Sequence, residues 1–440
     1  MAFGVRLDNL ELTNFHGFSH FDISFDNRLT VLVGENGSGK TSVLQAACVA
    51  LDAFVSHLAL REQRAIAPSD ARFDRFEMGG VTDWQGQYPV VVAARGLVGD
   101  DDGKMISWER QAGSSDDRPR SIQPDGLAPF ARACSERLKK GDQSLVLPMI
   151  AYYGTGRLWG GKGGALNHGM TRFSRQDGYR GALDASVDNE RMLSWFYKMT
   201  AQDVQRVQSL RPMDESPLFA AVRNAVERCF CNISGCEQVK VTYNLDVNDL
   251  DVEFFDQEGG LHKLAMGLMS DGYRTTLSMF ADIAYRMALL NPALGERVLD
   301  ETPGIVLIDE ADLHLHPLWQ ARILRDLCDA FPRVQFIVTT HAPMVISSVP
   351  GRQVRILNGE GAHVPEHESF GLGANDVLTG IMGAESRQSV VTDLLARFAR
   401  LLDGEDYDAA GRVLDELEEK TGPSNPDVVA ARSALAFERL

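Results

Sequence analysis

Apolar and polar residues alternate along VRLDNLELTNF (5–15) and again along FDISF (21–25), the period-two pattern of half-buried β-strands joined around HGFSH. A third strand is expected at LTVLV (29–33), an apolar run that reads as buried on both faces. YPVVVAARGLV (88–98) predicts another strand, and the polar, Gly-, Asp- and Ser-rich stretch from Gly99 to Gly126 an exposed connection. From Leu127 to about Gly235 the pattern is mostly helical, interrupted by YYGTGRLWGGKGGALNHG (152–169). QVKVTYNL and LDVEFFD predict two strands with NDL near their turn, and a helix over 271–291 leads into GIVLIDE (304–310), a buried strand ending in two acids. A helix over 316–330 and a strand at VQFIVTT (334–340) complete a β-α-β unit, with VRIL (354–357) as the last strand. Beyond Gly371 the pattern is helical. Its final pair of helices, about 405–420 and 425–438, is parted by TGPSNP and resembles one unit of a helical repeat. No long heptad run predicts a coiled coil.

Placed on these elements, VLVGENGSGKTS (31–42) carries chemistry. It contains G-x-x-x-x-G-K-[ST] between a buried strand and a helix expected over Ser42–Leu51. Glycines there let successive backbone N–H groups turn around phosphate oxygens, at a helix N-terminus whose dipole favours negative charge. The candidate nucleotide contacts are Gly34, Glu35, Asn36, Gly37, Ser38, Gly39, Lys40, Thr41 and Ser42. Lys40 is expected to reach the β- and γ-phosphates of ATP, and the Thr41 hydroxyl to be a ligand of Mg²⁺. A glycine-rich turn that binds nothing is the plain alternative, and the strand–loop–helix context argues against it.

Asp309 and Glu310 follow the apolar run of GIVLIDE, which places a carboxylate pair at the C-terminal edge of a parallel strand, where α/β sheets bind ligands. Asp309 is the candidate Mg²⁺ ligand, and Glu310 the candidate base for the attacking water. His341, in VTTHAP one helix and one strand further on, is a candidate sensor of the γ-phosphate. In LMSDGYRTTL (268–277), Ser270, Asp271 and Gly272 form a Ser-x-Gly turn at a helix start that could cap a phosphate. One subunit needs no second phosphate site, so Ser270 and Gly272 are expected to complete a partner's site across a dimer interface.

Composition narrows this picture. The 440 residues are 44% hydrophobic and 24% charged, as in ordinary globular proteins of two or three domains. No apolar run approaches the ~18–20 residues needed to span a membrane, and the N-terminus lacks a signal-peptide pattern, so a cytoplasmic protein is expected. The net charge of −17 argues against a broadly basic surface, leaving nucleic-acid contact to a local patch or a partner. Of six cysteines, three form C-x-C-x4-C (Cys229, Cys231, Cys236), without the paired spacing of a zinc site, and buried thiols are expected. His314 and His316 in HLH lack a third ligand in sequence and are read as structural. YYGTGR (152–157) reads equally as a phosphate-approaching turn or a tight connection.

Together, GENGSGKT, MSDGYR, IVLIDE, ADLHLHP and TTHAP resemble the Walker A, signature, Walker B, D-loop and switch motifs of ABC-type ATPase heads of the SMC and RecF kind. The resemblance covers residues 1–95 and about 236–360. It implies an α/β fold, a P-loop NTPase head of mixed sheet and helices, with a largely helical insertion and a helical C-terminal tail. The expected divisions are an N-terminal lobe (1–98), the insertion (99–235), a C-terminal lobe (236–365) and the tail (366–440). In such families ATP is sandwiched between two heads, each lending its signature serine to the other. The chain departs from the pattern at His16 in NFHGF, where an arginine is common, and at Met269, where leucine is usual; Gln85 and Gln87 are the nearest candidates for a Q-loop glutamine.

SRQDGYRGALD (174–184) with Trp195-Phe196, and FGLGANDVLTGIMG (370–383), resemble more narrowly the PtuA ATPases of Septu anti-phage systems, relatives of which accompany some retrons. That resemblance implies a homodimer or higher even-numbered oligomer and a separately encoded HNH endonuclease partner (PtuB-like). It also admits contact with DNA or with a retron's RNA and DNA, and no membrane. The chain shows neither a His-Asn-His block nor, after His341, the acidic β-α-β pattern of a TOPRIM nuclease, so cutting is expected from the partner. The rival reading is a RecF- or SMC-like DNA-binding repair ATPase without a nuclease. A transporter ATPase is disfavoured by the ~200-residue interval from Walker A to Lys240 together with an SMC-style signature.

Overall fold

The computed structural model describes residues 4–58, 64–78, 81–99, 103–114, 126–157, 172–185, 189–208, 215–256, 258–359, 361–383 and 389–438. The chain divides into two compact units, residues 1–372 and 373–440.

The first unit is built on a six-stranded sheet. Its order is Ala362–His363, Val354–Leu357, Leu29–Val33, Val334–Thr339, Gly304–Ile308, Met149–Tyr153. Every neighbouring pair is parallel except the first. The central strands are buried along their whole length, which explains apolar runs without alternation in LTVLV and GIVLI. The Lys40–Val55 helix packs beside this sheet with most of its residues buried, Asp52 included. A second, antiparallel sheet runs Phe18–Ser24, Gly4–Phe15, Val90–Gly99, Lys104–Ala112, and here the alternation seen in the sequence is kept. Leu7, Leu10 and Leu12 are wholly buried on its inner side. A three-stranded sheet, Leu261–Ala265, Asp249–Phe255, Glu237–Asn244, precedes the buried helix Asp271–Leu290.

Several expectations change. The connection expected over 99–126 contains the strand Lys104–Ala112. Its sequence is mostly polar, yet Trp108 donates from Nε1 to the Ala50 carbonyl at 2.9 Å and Arg110 pairs with buried Asp52 at 3.1 Å, which fastens it to the Lys40–Val55 helix. The region expected as a helical insertion, 99–235, also contributes the edge strand Met149–Tyr153 to the central sheet, so it is interwoven with the head. The helix expected over 316–330 breaks into Pro317–Gln320 and Ile323–Ala330, with Arg322 at φ −122° between them. Strands Phe73–Met78, Val81–Gly86 and Leu261–Ala265 were not anticipated.

The SRQDGYRGALD stretch straps the first unit together. Arg175 donates from Nε to the Leu290 carbonyl at 2.6 Å, and Arg286 from Nη1 to the Gly178 and Arg180 carbonyls at 3.1 and 2.9 Å. Tyr152 N–H donates to Ala182 at 2.7 Å, extending the edge of the parallel sheet. Trp195 and Phe196 pack among Phe219 and Tyr285.

Residues 366–372, expected in the tail, belong to the first unit: Ser369 donates from Oγ to the Val349 carbonyl at 2.6 Å, and Gly371 N–H to Ser347 at 2.9 Å. The second unit is the short helix Ala374–Gly380 followed by Ser389–Asp403, Tyr407–Thr421 and Pro426–Glu438. Leu394, Phe398, Val413, Leu414, Leu417 and Val428 form its core. Among the described residues no helix is long and apolar enough to cross a membrane.

Candidate nucleotide site

Three adjacent parallel strands, Leu29–Val33, Val334–Thr339 and Gly304–Ile308, deliver their C-terminal ends to one edge of the sheet. From these ends come the phosphate loop, His341 and the acid pair. The loop takes a path that side chains would obstruct. Gly39 has φ +94°, and a Cβ there would come within 2.2 Å of the Phe18 ring; at Gly34 it would meet the Leu357 carbonyl oxygen at 2.7 Å. The helix begins at Lys40, two residues before its expected start.

Lys40 is buried, and its Nζ donates to the carbonyls of Gly34 and Glu35 at 2.9 and 2.8 Å. Burial lowers the pKa of its ammonium, while Asp309 and Glu310 act to raise it. Thr41 Oγ1 lies 2.9 Å from Asp309 Oδ2 and 3.2 Å from Oδ1. Asp309 is itself buried and accepts from Thr339 Oγ1 at 2.6 Å, and its backbone N–H donates to Tyr153 at 2.8 Å. The same Thr339 oxygen accepts the backbone N–H of Glu310 at 2.7 Å. Glu310 is half-buried with φ +50°, a conformation rare for a side-chain-bearing residue and one that turns the chain sharply after the strand. One buried threonine thus fixes both acids.

His341 is half-buried just beyond the Val334–Thr339 strand. The preceding Thr340 donates to Asp312 at 2.6 Å and accepts from the Ala342 N–H at 3.0 Å, tying the switch segment to the turn after the acids. Sequence reasoning missed Thr339 and Thr340. Their signal was the doubled threonine of VTTHAP, which the sequence reading used only as strand and as part of the switch motif, with no role for either hydroxyl.

Thr41 and Asp309 supply hard oxygen donors of the type Mg²⁺ prefers, one or two from protein with the rest from phosphates and water. The glycine-walled loop, with Lys40 at its centre, fits a polyphosphate. Among the described residues no cluster of three or more His, Cys, Asp or Glu could hold a metal alone, and the six cysteines are free thiols. Burial pushes the Cys134 thiol up to about 11 and that of Cys229 well upward.

The signature residues occupy a different place. Ser270 and Asp271 are exposed at the start of the Asp271–Leu290 helix, and the Ser270 hydroxyl makes no cap hydrogen bond. Asp271 pairs with Arg274 at 2.5 Å. Gly272 is buried against the turn that follows the acids; a Cβ there would meet the His314 carbonyl oxygen at 2.5 Å. Tyr273 stacks edge-on against Trp319, with centroids 4.4 Å apart. His314 has φ +62°, and His316 caps the Pro317–Gln320 turn, so the HLH pair shapes the loop backbone. Gln85 lies on an exposed hairpin with its amide on Asp83, and Gln87 bonds back to Gln85. Tyr152 and Tyr153 of YYGTGR end a buried strand, whereas residues 158–171 lie outside the described residues.

Comparison with known proteins finds similar ATPases. Two AAA-domain family models match, one over residues 9–194 and one over 174–347, the latter also described by its link to the AbiEii toxin and type IV TA systems. The chain is 24% identical over 422 residues to the Retron Vc95 probable ATPase of Vibrio cholerae serotype O1 biovar El Tor, covering 87% of this chain and 80% of that one. It is 30% identical over 167 residues to the Septu protein PtuA of Bacillus thuringiensis, covering 36% of this chain and 42% of that one. Among solved structures, an Smc head bound to the C-terminal winged-helix domain of ScpA aligns with a TM-score of 0.47 at 16% identity, over 82% of this chain and 97% of that one.

Proposed function

We propose that the chain is an ATPase head of the SMC- and RecF-like kind and the ATP-hydrolysing subunit of a retron- or Septu-type defence complex. In this reading two copies close around ATP and Mg²⁺ and control a separate HNH nuclease. The observation that carries the catalytic part is the hydrogen-bonded chain Thr41–Asp309–Thr339–Glu310, which joins the phosphate loop to both acids. The loop amides and Lys40 would bind the phosphates, and Thr41 and Asp309 would hold Mg²⁺, which supplies charge neutralisation there. Glu310 would take the proton of the attacking water while the bond between the γ-phosphorus and ADP breaks, and His341 would contact the γ-phosphate.

Dimerisation is supported by what surrounds Ser270. Its hydroxyl is not used as a cap, and two apolar side chains, Leu268 two residues before it and Leu318 next to the Trp319 that packs on Tyr273, are 81% and 69% exposed. An interface would cover them and bring Ser270 to the partner's nucleotide. The defence role is supported by the relatives named for retrons and Septu; the nuclease partner is carried over from the resemblance of SRQDGYRGALD and FGLGANDVLTGIMG to PtuA ATPases.

The test is purification of the chain with its genomic neighbours, followed by ATPase and nuclease assays with and without ATP. ATP-dependent dimers that carry an HNH protein whose cutting changes with nucleotide are expected. Turnover at full rate by monomers at every concentration would defeat the dimer, and salt-sensitive DNA binding without any nuclease would favour the RecF-like repair reading.

A further inference from the structure

His16 occupies the turn between the first two strands, with φ +49° and its ring stacked on Phe15 at a centroid distance of 4.4 Å. Its two nitrogens face opposite partners. Nδ1 lies 3.0 Å from Ser42 Oγ, in the first turn of the phosphate-loop helix, and Nε2 lies 3.2 Å from Asp70 Oδ1. Asp70 is 3% exposed and also accepts the Ala67 N–H at 2.8 Å, while the His16 N–H donates to the Asp70 carbonyl at 2.7 Å. The imidazole is therefore clamped in one orientation between a buried carboxylate and a hydroxyl of the nucleotide loop.

We propose that His16 is a positioning residue which, by its protonation, sets whether the Ser42 hydroxyl can donate its proton to a nucleotide phosphate. This rests on the reading of the loop as a nucleotide site. A carboxylate only accepts, so Nε2 must carry hydrogen to bond Asp70. In the neutral ring Nδ1 is then an acceptor, and the Ser42 O–H is spent on it. When Nδ1 is protonated it becomes the donor, Ser42 Oγ accepts, and the serine proton is free to turn toward an anion. Nucleotide binding and proton uptake by His16 are coupled by this relay, so each favours the other.

The other charges near the pair do not replace this logic. Arg64 lies 3.7 Å from Asp70, Arg72 pairs with Asp74 beside Asn14, and Lys40 points into the loop carbonyls. Burial works to raise the Asp70 carboxyl, but the bonds from His16 and Ala67 and the charge of Arg64 outweigh it, leaving its pKa lowered. Asp70 is therefore held as the carboxylate that Nε2 faces.

The experiment measures binding of ADP with saturating magnesium from about pH 5.5 to 8.5 for the wild type, His16→Gln and Ser42→Ala. The wild type is expected to bind about tenfold more tightly at the acid end, the equivalent of a one-unit change in one group. Both substitutions should flatten that slope. An undiminished slope in His16→Gln overturns the proposal. A slope kept in Ser42→Ala but lost in His16→Gln overturns the hydroxyl relay, because charge would then act through space. Should His16→Gln not fold, calorimetry of the wild type in two buffers of different ionisation enthalpy decides: proton uptake on binding supports the relay, and none overturns it. Failure of the nucleotide reading looks different, since the wild type would then bind no better than Lys40→Ala at any pH.

Discussion

At the phosphate loop, Lys40 is buried on two carbonyls, Thr41 meets a buried Asp309, and Thr339 holds both acids. At the signature turn, Ser270 is exposed with a hydroxyl not used as a cap, Leu268 before it and Leu318 next to Trp319 are exposed, and yet the helix behind it is almost entirely buried. The first region has the marks of a site organised within one chain; the second is rigid behind and unfinished in front. Preorganised groups act without reorganising at the moment of reaction. An uncapped serine on a fixed helix can be just as well placed, but for a ligand that arrives on another surface. The contrast predicts that loss of the phosphate-holding Lys40 in the first region should remove binding, whereas damage at the second region should spare binding and remove turnover.

The largest effect on binding should come from Lys40→Ala. It deletes the one buried cation of the loop, and nucleotide affinity should fall by about a hundredfold or more, measured by fluorescent-nucleotide titration. Unchanged affinity would mean the loop does not hold phosphates.

Glu310→Gln keeps the shape and the Thr339-anchored backbone but removes the base. Affinity should stay within a few-fold while turnover falls by about 10²–10⁴, and ATP-dependent dimers should accumulate in size-exclusion runs. Wild-type turnover would show that another group takes the proton.

Ser270→Ala sharpens the contrast further. Binding by isolated copies should be unaffected and turnover should drop by about 10- to 100-fold, the scale of losing one hydrogen bond to developing charge. Mixing it with Lys40→Ala should restore part of the activity, because a heterodimer retains one site built from an intact phosphate loop and an intact signature. No recovery on mixing would argue for a site complete within one chain.

How much of this was legible depended on whether the information was local. The loop and the acid pair each lie within a few consecutive residues, so strand, turn and chemistry could be read together. Thr339 could not, because its partners Asp309 and Glu310 lie just past the end of the neighbouring strand and the pairing needs the sheet order. The strand Met149–Tyr153 was hidden for a related reason: MIAYY is wholly buried and does not alternate, and it borders a glycine-rich run. Lys104–Ala112 was hidden by polarity, since its buried side chains are few and it is held by backbone pairing, Trp108 and Arg110. The His16 clamp needed Asp70, which follows a segment with no periodic signal.

The smallest effect tests the unfinished side without touching a catalytic group. Leu268→Ser and Leu318→Ser remove apolar surface that is exposed in the single chain, so the isolated copy should lose no core packing and its melting temperature should hold. If these leucines are covered when two copies meet, each substitution forfeits about 1 kcal/mol of burial, about fivefold in dimer dissociation. Nucleotide-dependent dimerisation should weaken accordingly in analytical ultracentrifugation, while nucleotide affinity at dilution stays put. Turnover should fall at low protein concentration and recover as concentration rises, because the defect lies in assembly and not in chemistry. A concentration-independent loss would instead place these leucines in the fold of the signature segment itself, and the contrast between a finished and an unfinished half would lose its simplest support.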